Sequence, residues 1–573
     1  MSDNKLKLVI CWHMHQPWYR ESLDGEYRLP WVYLHALKDY SDMVAHLETH
    51  REMRAVINFA PILLEQLDDY ARQLAQWKET GRAMSEPFLN QLAGIRQIPK
   101  DTEQRVVLVE ACMRAHAPQM IEPHPAYVEL LDLACHKKSK NPDAKKLHYL
   151  NDGFFLDLLT WYHLAWLGHS VKQSPLAMEL MAQGNGFSIK QRHALLHLMS
   201  ELFSGLIPRY KALADKDQIE LSFTPYAHPI MPLLIDLESM HCALPESPMP
   251  KYAAYPKGSE RAHWHLQHGI DVFKKYFGKK PQGTWLSEGS ISEEAIAMLP
   301  AFNLKWTASG EGVWHNSYSL SELDHNNPSA RHGLFGPHQL DNTNTHIFFR
   351  DDGLSDLIGF EYQDWHADDA VADFMQHLSN IASYLGDKAG EHVVSVILDG
   401  ENAWEYYPNN AFHFIGALYE QLSKSDIVEV TTFSEAVHCC PVRTLPRLCA
   451  GSWVYGSFST WIGEQGKNIG WEKLIEAKQT YDRVIESEDL NKEQIEKAGM
   501  QLAICEGSDW FWWFGDYNPS GSVRDFDTLF RQQLRNLYTL LQQPIPDDLY
   551  EPISGGSSDS VANAGTMRRG QDH

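Results

Sequence analysis

The sequence predicts an α/β protein built on a parallel β/α barrel, with a long helical insertion and a helical C-terminal region. Three observations point there. Short apolar runs recur along the chain, and each ends in a burst of polar and aromatic residues: KLVICW in HMHQP, IELSF in TPYAHP, VVSVIL in DGENAWEYY. Helix-period segments, such as 262–278 and 292–300, separate several of these runs. The alternative, a doubly wound open sheet, would carry a glycine-rich phosphate loop after the first strand, where this chain has HMHQP.

In chain order the expected strands are KLVICW, RAVINF, IELSF, GTWL, LKWTA, HIFFR and VVSVIL. Each is a run of four to eight residues rich in Val, Ile, Phe or Trp, the pattern of a strand buried on both faces. Polar clusters at the strands' C-terminal ends are where a barrel of this kind keeps its site. The stretch from about 65 to 215 is helical in period and reads as an insertion. The helix at 292–300 is expected to open with a capping box from Ser290 to Glu293. Strand patterns fade beyond 405, and 410–424, 471–487, 491–505 and 524–542 carry helical periodicity. This divides the chain into a catalytic barrel at 1–405, a helical domain at 406–553 that contributes to the cleft, and a tail at 554–573 expected to be disordered for want of apolar residues.

A net charge of −25 lacks the basic footprint that nucleic acid or an anionic membrane requires, so neither is expected as a partner. The first residues show no leader pattern, and the most apolar later stretch, 154–168, is short and interrupted by Asp157 and His163. Eight cysteines without CxxC spacing fit a reducing cytoplasm better than a disulfide framework, and the spacing from His438 to Cys449 is wrong for zinc. A cytoplasmic location is the expectation.

Chemistry concentrates at two strand ends. Glu288 follows a Trp-bearing strand and precedes Gly289; Asp399 and Glu401 follow VVSVIL and precede Trp404. Taken singly, each acid could be a helix-dipole or turn residue. Taken together they form the carboxylate pair that glycoside cleavage uses, one to protonate the leaving oxygen and one across the anomeric carbon. Residues 505–516, CEGSDWFWWFGD, join five aromatics to Glu506 and Asp509: flat faces for a sugar ring beside acceptors for its hydroxyls. His13 and His15, two apart at the first strand's end, face one way. They admit three readings: hydrogen bonds to sugar hydroxyls, packing, or a metal site with His228.

These stretches together resemble glycoside hydrolase family 57 over about residues 5–545. HMHQP (13–17), ELSFTPYAHPIMPLL (220–234), GTWLSEGSIS (283–292), ILDGENAWEYY (397–407) and CEGSDWFWWFGD are similar, in order, to that family's five motif regions. The resemblance implies an incomplete seven-stranded (β/α) barrel with a helical C-terminal domain. It also implies a retaining mechanism on α-glucans without metal or other cofactor, with Glu288 as nucleophile and Asp399 as general acid/base. Expected substrate-binding residues are His13, His15, Tyr226, His228, Trp285, Arg350, Glu401, Trp404, Trp453, Trp461, Glu506, Asp509 and Trp510. His228 departs from glucanotransferase members that carry glutamate before Pro-Ile. Amylase-type cleavage is therefore the leading expectation and transglycosylation the alternative. A metal-dependent hydrolase and a non-catalytic glucan binder remain as further readings. Oligomeric state is not legible.

Overall fold

The computed structural model describes residues 4–321, 331–341, 343–515 and 517–556. Ten strands form one sheet: β1 Leu6–Met14, β2 Ala55–Phe59, β3 Ile219–Phe223, β4 Gly283–Thr284, β5 Trp306–Gly310, β6 His338–Leu340, β7 His346–Arg350, β8 Val393–Asp399, β9 Val428–Val430 and β10 Arg443–Leu445. Seven close into a parallel barrel in the order β1-β2-β3-β4-β5-β7-β8 and back to β1. Each of the seven runs expected from the sequence supplies one barrel strand.

Side chains alternate across a strand, so every second residue points inward. Val9, Cys11, Val56, Trp306, Ala308, Phe348, Val393 and Ile397 fill the barrel. One further inward position along the same strands brings His13, Asn58, Arg350 and Asp399 to its mouth. The register puts His13 opposite both Asn58 and Asp399, so three polar residues stand abreast on adjacent strands. Strand β4 is only two residues long, and Gly283 there has no alternative: a Cβ would fall 2.1 Å from the Trp306 ring.

Closure is uneven. β1 pairs with β8 over seven positions, whereas β7 meets β8 at one, Arg350 opposite Ser395. Around that pair Asp351 N–H donates to the Ser395 carbonyl and the Arg350 Nε to the Ile397 carbonyl at 2.8 Å.

Between β2 and β3 the chain is helical, from Pro61–Thr80 to Ile189–Ala214. The first opens on proline and stops at Gly81, whose left-handed φ of 72° favours a residue free of a Cβ. The second is opened by a full capping box between Ser188 and Gln191. Among the described residues no helix is long and apolar enough to cross a membrane, and all eight cysteines are free thiols.

Several boundaries differ from expectation. The segment after 405 is not purely helical: β9 pairs with the start of β1, and β10 with β6. Phe433, on the next helix, plugs the barrel against Trp306 and Phe348. These strands are three residues each, too short to leave a periodic trace in sequence. The helix at Glu293–Met298 is capped by Ser292, not Ser290, because Ile291 is held extended by a bridge to Gly451. The proposed tail begins too early, since Ser554 accepts from Gly515 N–H and its own N–H reaches Asp527; residues 557–573, like Asp516, lie outside the described residues.

Candidate active site

Glu288 sits directly after β4 on the short turn Ser287–Gly289, in a left-handed conformation with φ 58° and ψ 24°. A non-glycine residue held there is strained by the order of 1–3 kcal/mol and persists only where its surroundings insist. Here they do. The Trp453 N–H donates to the Glu288 carbonyl at 3.1 Å, and its indole nitrogen to Oε2 at 2.9 Å. His228, also left-handed at φ 61°, places Nδ1 3.9 Å from Oε1.

Asp399 lines the same cavity, together with Arg350, Trp453, Trp512 and Phe360. Its Oδ2 accepts from Asn402 at 2.6 Å. Enclosure raises its pKa to about 6, against the pull of the Asn402 hydrogen bond and of His15 and Arg350. Burial first and repulsion from Asp399 second push Glu288 well above the usual carboxylate range, with the Trp453 hydrogen bond opposing. Glu401, buried beside them, is likewise raised by burial and by Asp399. All three acids are thus weaker than free carboxylates.

Three imidazoles stack beside the acids. His15 and His228 lie 3.7 Å apart between ring centroids, nearly parallel. His13 Nε2 and His228 Nε2 are 3.1 Å apart, which requires one of them to donate. Asn58 orients His13, Ser508 orients His228, and Asp509 holds His15 at 2.9 Å. Burial lowers His13 to about 3 and holds His228 well below the ordinary imidazole value, which favours the neutral form of both. His15 Nδ1 is buried without a hydrogen-bond partner. Ligand atoms of His15, His228 and Asp509 lie within 4.8 Å of one another and could hold a metal ion.

The other expected residues divide. Trp285, Trp404 and Trp461 are 0% exposed and Trp510 1%, which takes them out of contact with any ligand in the cavity. Trp404 closes on the Gly400 carbonyl and Trp12, and Trp510 on the Ile504 carbonyl and Phe530. Glu506 is a structural anion: burial would raise it, but Arg261 and His265 hold it at about 2. Tyr226 turns to Glu65. Of the five consecutive aromatics, Trp512 lines the cavity with Glu288, and Trp513 a smaller recess with His13 and His15. Glu401 receives the His15 N–H and the Gln16 amide. Gln16 and Asn402 were missed although both lie within quoted motifs; Phe360 carries no sequence pattern that would have found it.

The model of Glycosyl hydrolase family 57 matches residues 9–448. No curated protein matches the sequence. Among solved structures, a branching enzyme from Thermococcus kodakaraensis superposes with a TM-score of 0.57 at 15% identity, over 95% of this chain and 93% of that one. The α-amylase AmyC of Thermotoga maritima gives 0.58 at 13%, over 96% and 94%. A 4-α-glucanotransferase from Thermococcus litoralis gives 0.50 at 12%, over 93% and 60%. Identities this low speak for a shared fold.

Proposed function

The chain belongs to glycoside hydrolase family 57, and on that premise we propose that it is a retaining α-glucan hydrolase of amylase type. The observation that carries the reading is the pairing of Glu288 and Asp399 in one cavity, the former fixed by two hydrogen bonds from Trp453.

Asp399 gives its proton to the departing glycosidic oxygen while Glu288 attacks the anomeric carbon, forming a glycosyl ester. Asp399, now ionised, takes a proton from water, whose oxygen displaces Glu288 and restores both groups. Attack requires Glu288 ionised and Asp399 protonated: burial raises the proton affinity of both acids, the Trp453 indole favours ionised Glu288, and the sugar brings its leaving oxygen to Asp399. Of the three imidazoles only His15, through its unpartnered Nδ1, is left to hydrogen-bond a sugar hydroxyl, since His13 and His228 spend both ring nitrogens on Asn58, Ser508 and each other.

Incubation with maltooligosaccharides, products resolved by length, tests the reading. Shorter products alone support hydrolysis; products longer than the substrate would show transfer to a sugar acceptor instead; an intact substrate would reject both. The convergence of His15, His228 and Asp509 favours one second reading, a metal-dependent hydrolase. Metal analysis of the purified protein and activity after dialysis against a chelator separate the two, since the carboxylate mechanism survives chelation.

A further inference from the structure

Two walls frame the catalytic cavity: Asp356, Gly359 and Phe360 on one side, Asn402, Ala403 and Tyr406 on the other. Both walls continue past it. The next residues of each, Tyr362 and Trp365 on the first and Tyr407 and Pro408 on the second, enclose a separate cavity of about 450 Å³. The Tyr407 hydroxyl donates to the Ile358 carbonyl at 2.6 Å and so ties the walls together between the two spaces. Trp365 is five positions on from Phe360, a span of at most about 18 Å even fully extended.

The second cavity has the make-up of a sugar site rather than of a core void. Its floor is aromatic, with Tyr362, Tyr407 and Phe414 all buried. Its rim carries His366, Asp368 and His413, exposed and polar. Trp365 stands 46% exposed, its ring packed edge-on against Tyr362 at 5.4 Å, which leaves an indole face open to solvent. Phe360, 36% exposed and five positions before this tryptophan, lines the cavity of the catalytic acids. A large aromatic left open on a polar-rimmed hollow offers a flat apolar face to the C–H side of a sugar ring.

We propose that this hollow is a distal subsite for a long α-glucan chain, in which a sugar ring stacks on Trp365 while the same chain occupies the catalytic cavity. The inference rests on the α-glucan reading above. It predicts a dependence on chain length: short substrates never reach Trp365, and long ones gain binding from it.

The test compares wild type with Trp365→Ala and Trp365→Phe on maltotriose and on soluble amylose. Trp365 is at the surface, so neither change endangers the fold, and thermal melts check this. The expected result is a KM for amylose raised about 3- to 10-fold by Trp365→Ala, the loss of one stacking contact. Maltotriose kinetics should stay unchanged, and Trp365→Phe should recover much of the amylose effect. The same ratio should appear in retardation of the Glu288→Gln background through an amylose-containing gel. Equal kinetics on both substrates, or equal losses on both, would overturn the subsite while leaving the glucan reading intact. A wild-type protein that neither binds nor cleaves either substrate would overturn the glucan reading and the subsite together.

Discussion

The indole nitrogen of Trp453 lies 2.9 Å from Oε2 of Glu288, and the same residue's backbone N–H holds the Glu288 carbonyl. Side chain and main chain of one tryptophan thus fix both the charge and the strained backbone of the candidate nucleophile. Trp453→Phe keeps the second bond and removes the first. Hydrogen bonds to charged groups contribute about 1.5–3 kcal/mol, so kcat/KM should fall roughly 10- to 100-fold. The ionised nucleophile also loses a donor, so the acid limb of the pH profile should move to higher pH. An unmoved acid limb with unchanged kcat/KM would show that Trp453 serves only to pack.

Replacing the nucleophile by Glu288→Ala should abolish turnover of ordinary α-glucosides. Azide should restore part of the activity on a substrate with a good leaving group, because the anion can enter the vacated space. The azide adduct should carry inverted configuration, read by proton NMR, since one displacement replaces two. Near-normal activity without azide would remove Glu288 from the mechanism.

Trp404 is wholly buried against Trp12 with its N–H bonded to the Gly400 carbonyl. Trp404→Ala should therefore cost about 3–5 kcal/mol of stability. It should also weaken catalysis indirectly, since Gly400 follows Asp399. Parallel melts and kinetics check the order of effects: a variant with an unchanged melting temperature and raised KM would return Trp404 to a sugar-contacting role.

Glu86 gives a stability effect separate from the site. It is 3% exposed, accepts from the Tyr70 hydroxyl and the Phe88 N–H, and burial pushes its pKa from the ordinary range up to about 8. A folded pKa above the unfolded one means the native state binds the proton more tightly. The associated stability is full below about pH 4.5 and lost as pH rises through about 8, an effect of a few kcal/mol. Denaturant melts between pH 5 and 9 should show a decline that Glu86→Gln flattens. Parallel curves for the two proteins would refute the assignment.

The barrel was legible because its strands are buried on both faces and so write continuous apolar runs. Strands β6, β9 and β10 were not, being three residues long and decided by long-range pairing. The carboxylates were legible because a strand end followed by Gly exposes acids in a fixed place. Aromatics misled for a physical reason: sequence shows that Trp404 and Trp510 neighbour the chemistry, but one residue's rotation on a turn decides whether an indole faces sugar or core. Glu506 misled likewise, since its partners Arg261 and His265 lie more than two hundred residues away in the chain.

The barrel's seam has one further implication. Where β7 meets β8 the ladder is a single pair, and the Arg350 side chain substitutes for the missing rungs by gripping the Ile397 carbonyl. That same guanidinium is among the charges that restrain the Asp399 pKa. Closure of the fold and acid strength therefore share one lever. Were the seam to open, the cation would withdraw and leave Asp399 a weaker acid. Amide exchange in 349–351 and 395–397 should run faster than along β1, and the tempo of that opening would be written into the enzyme's own proton affinity.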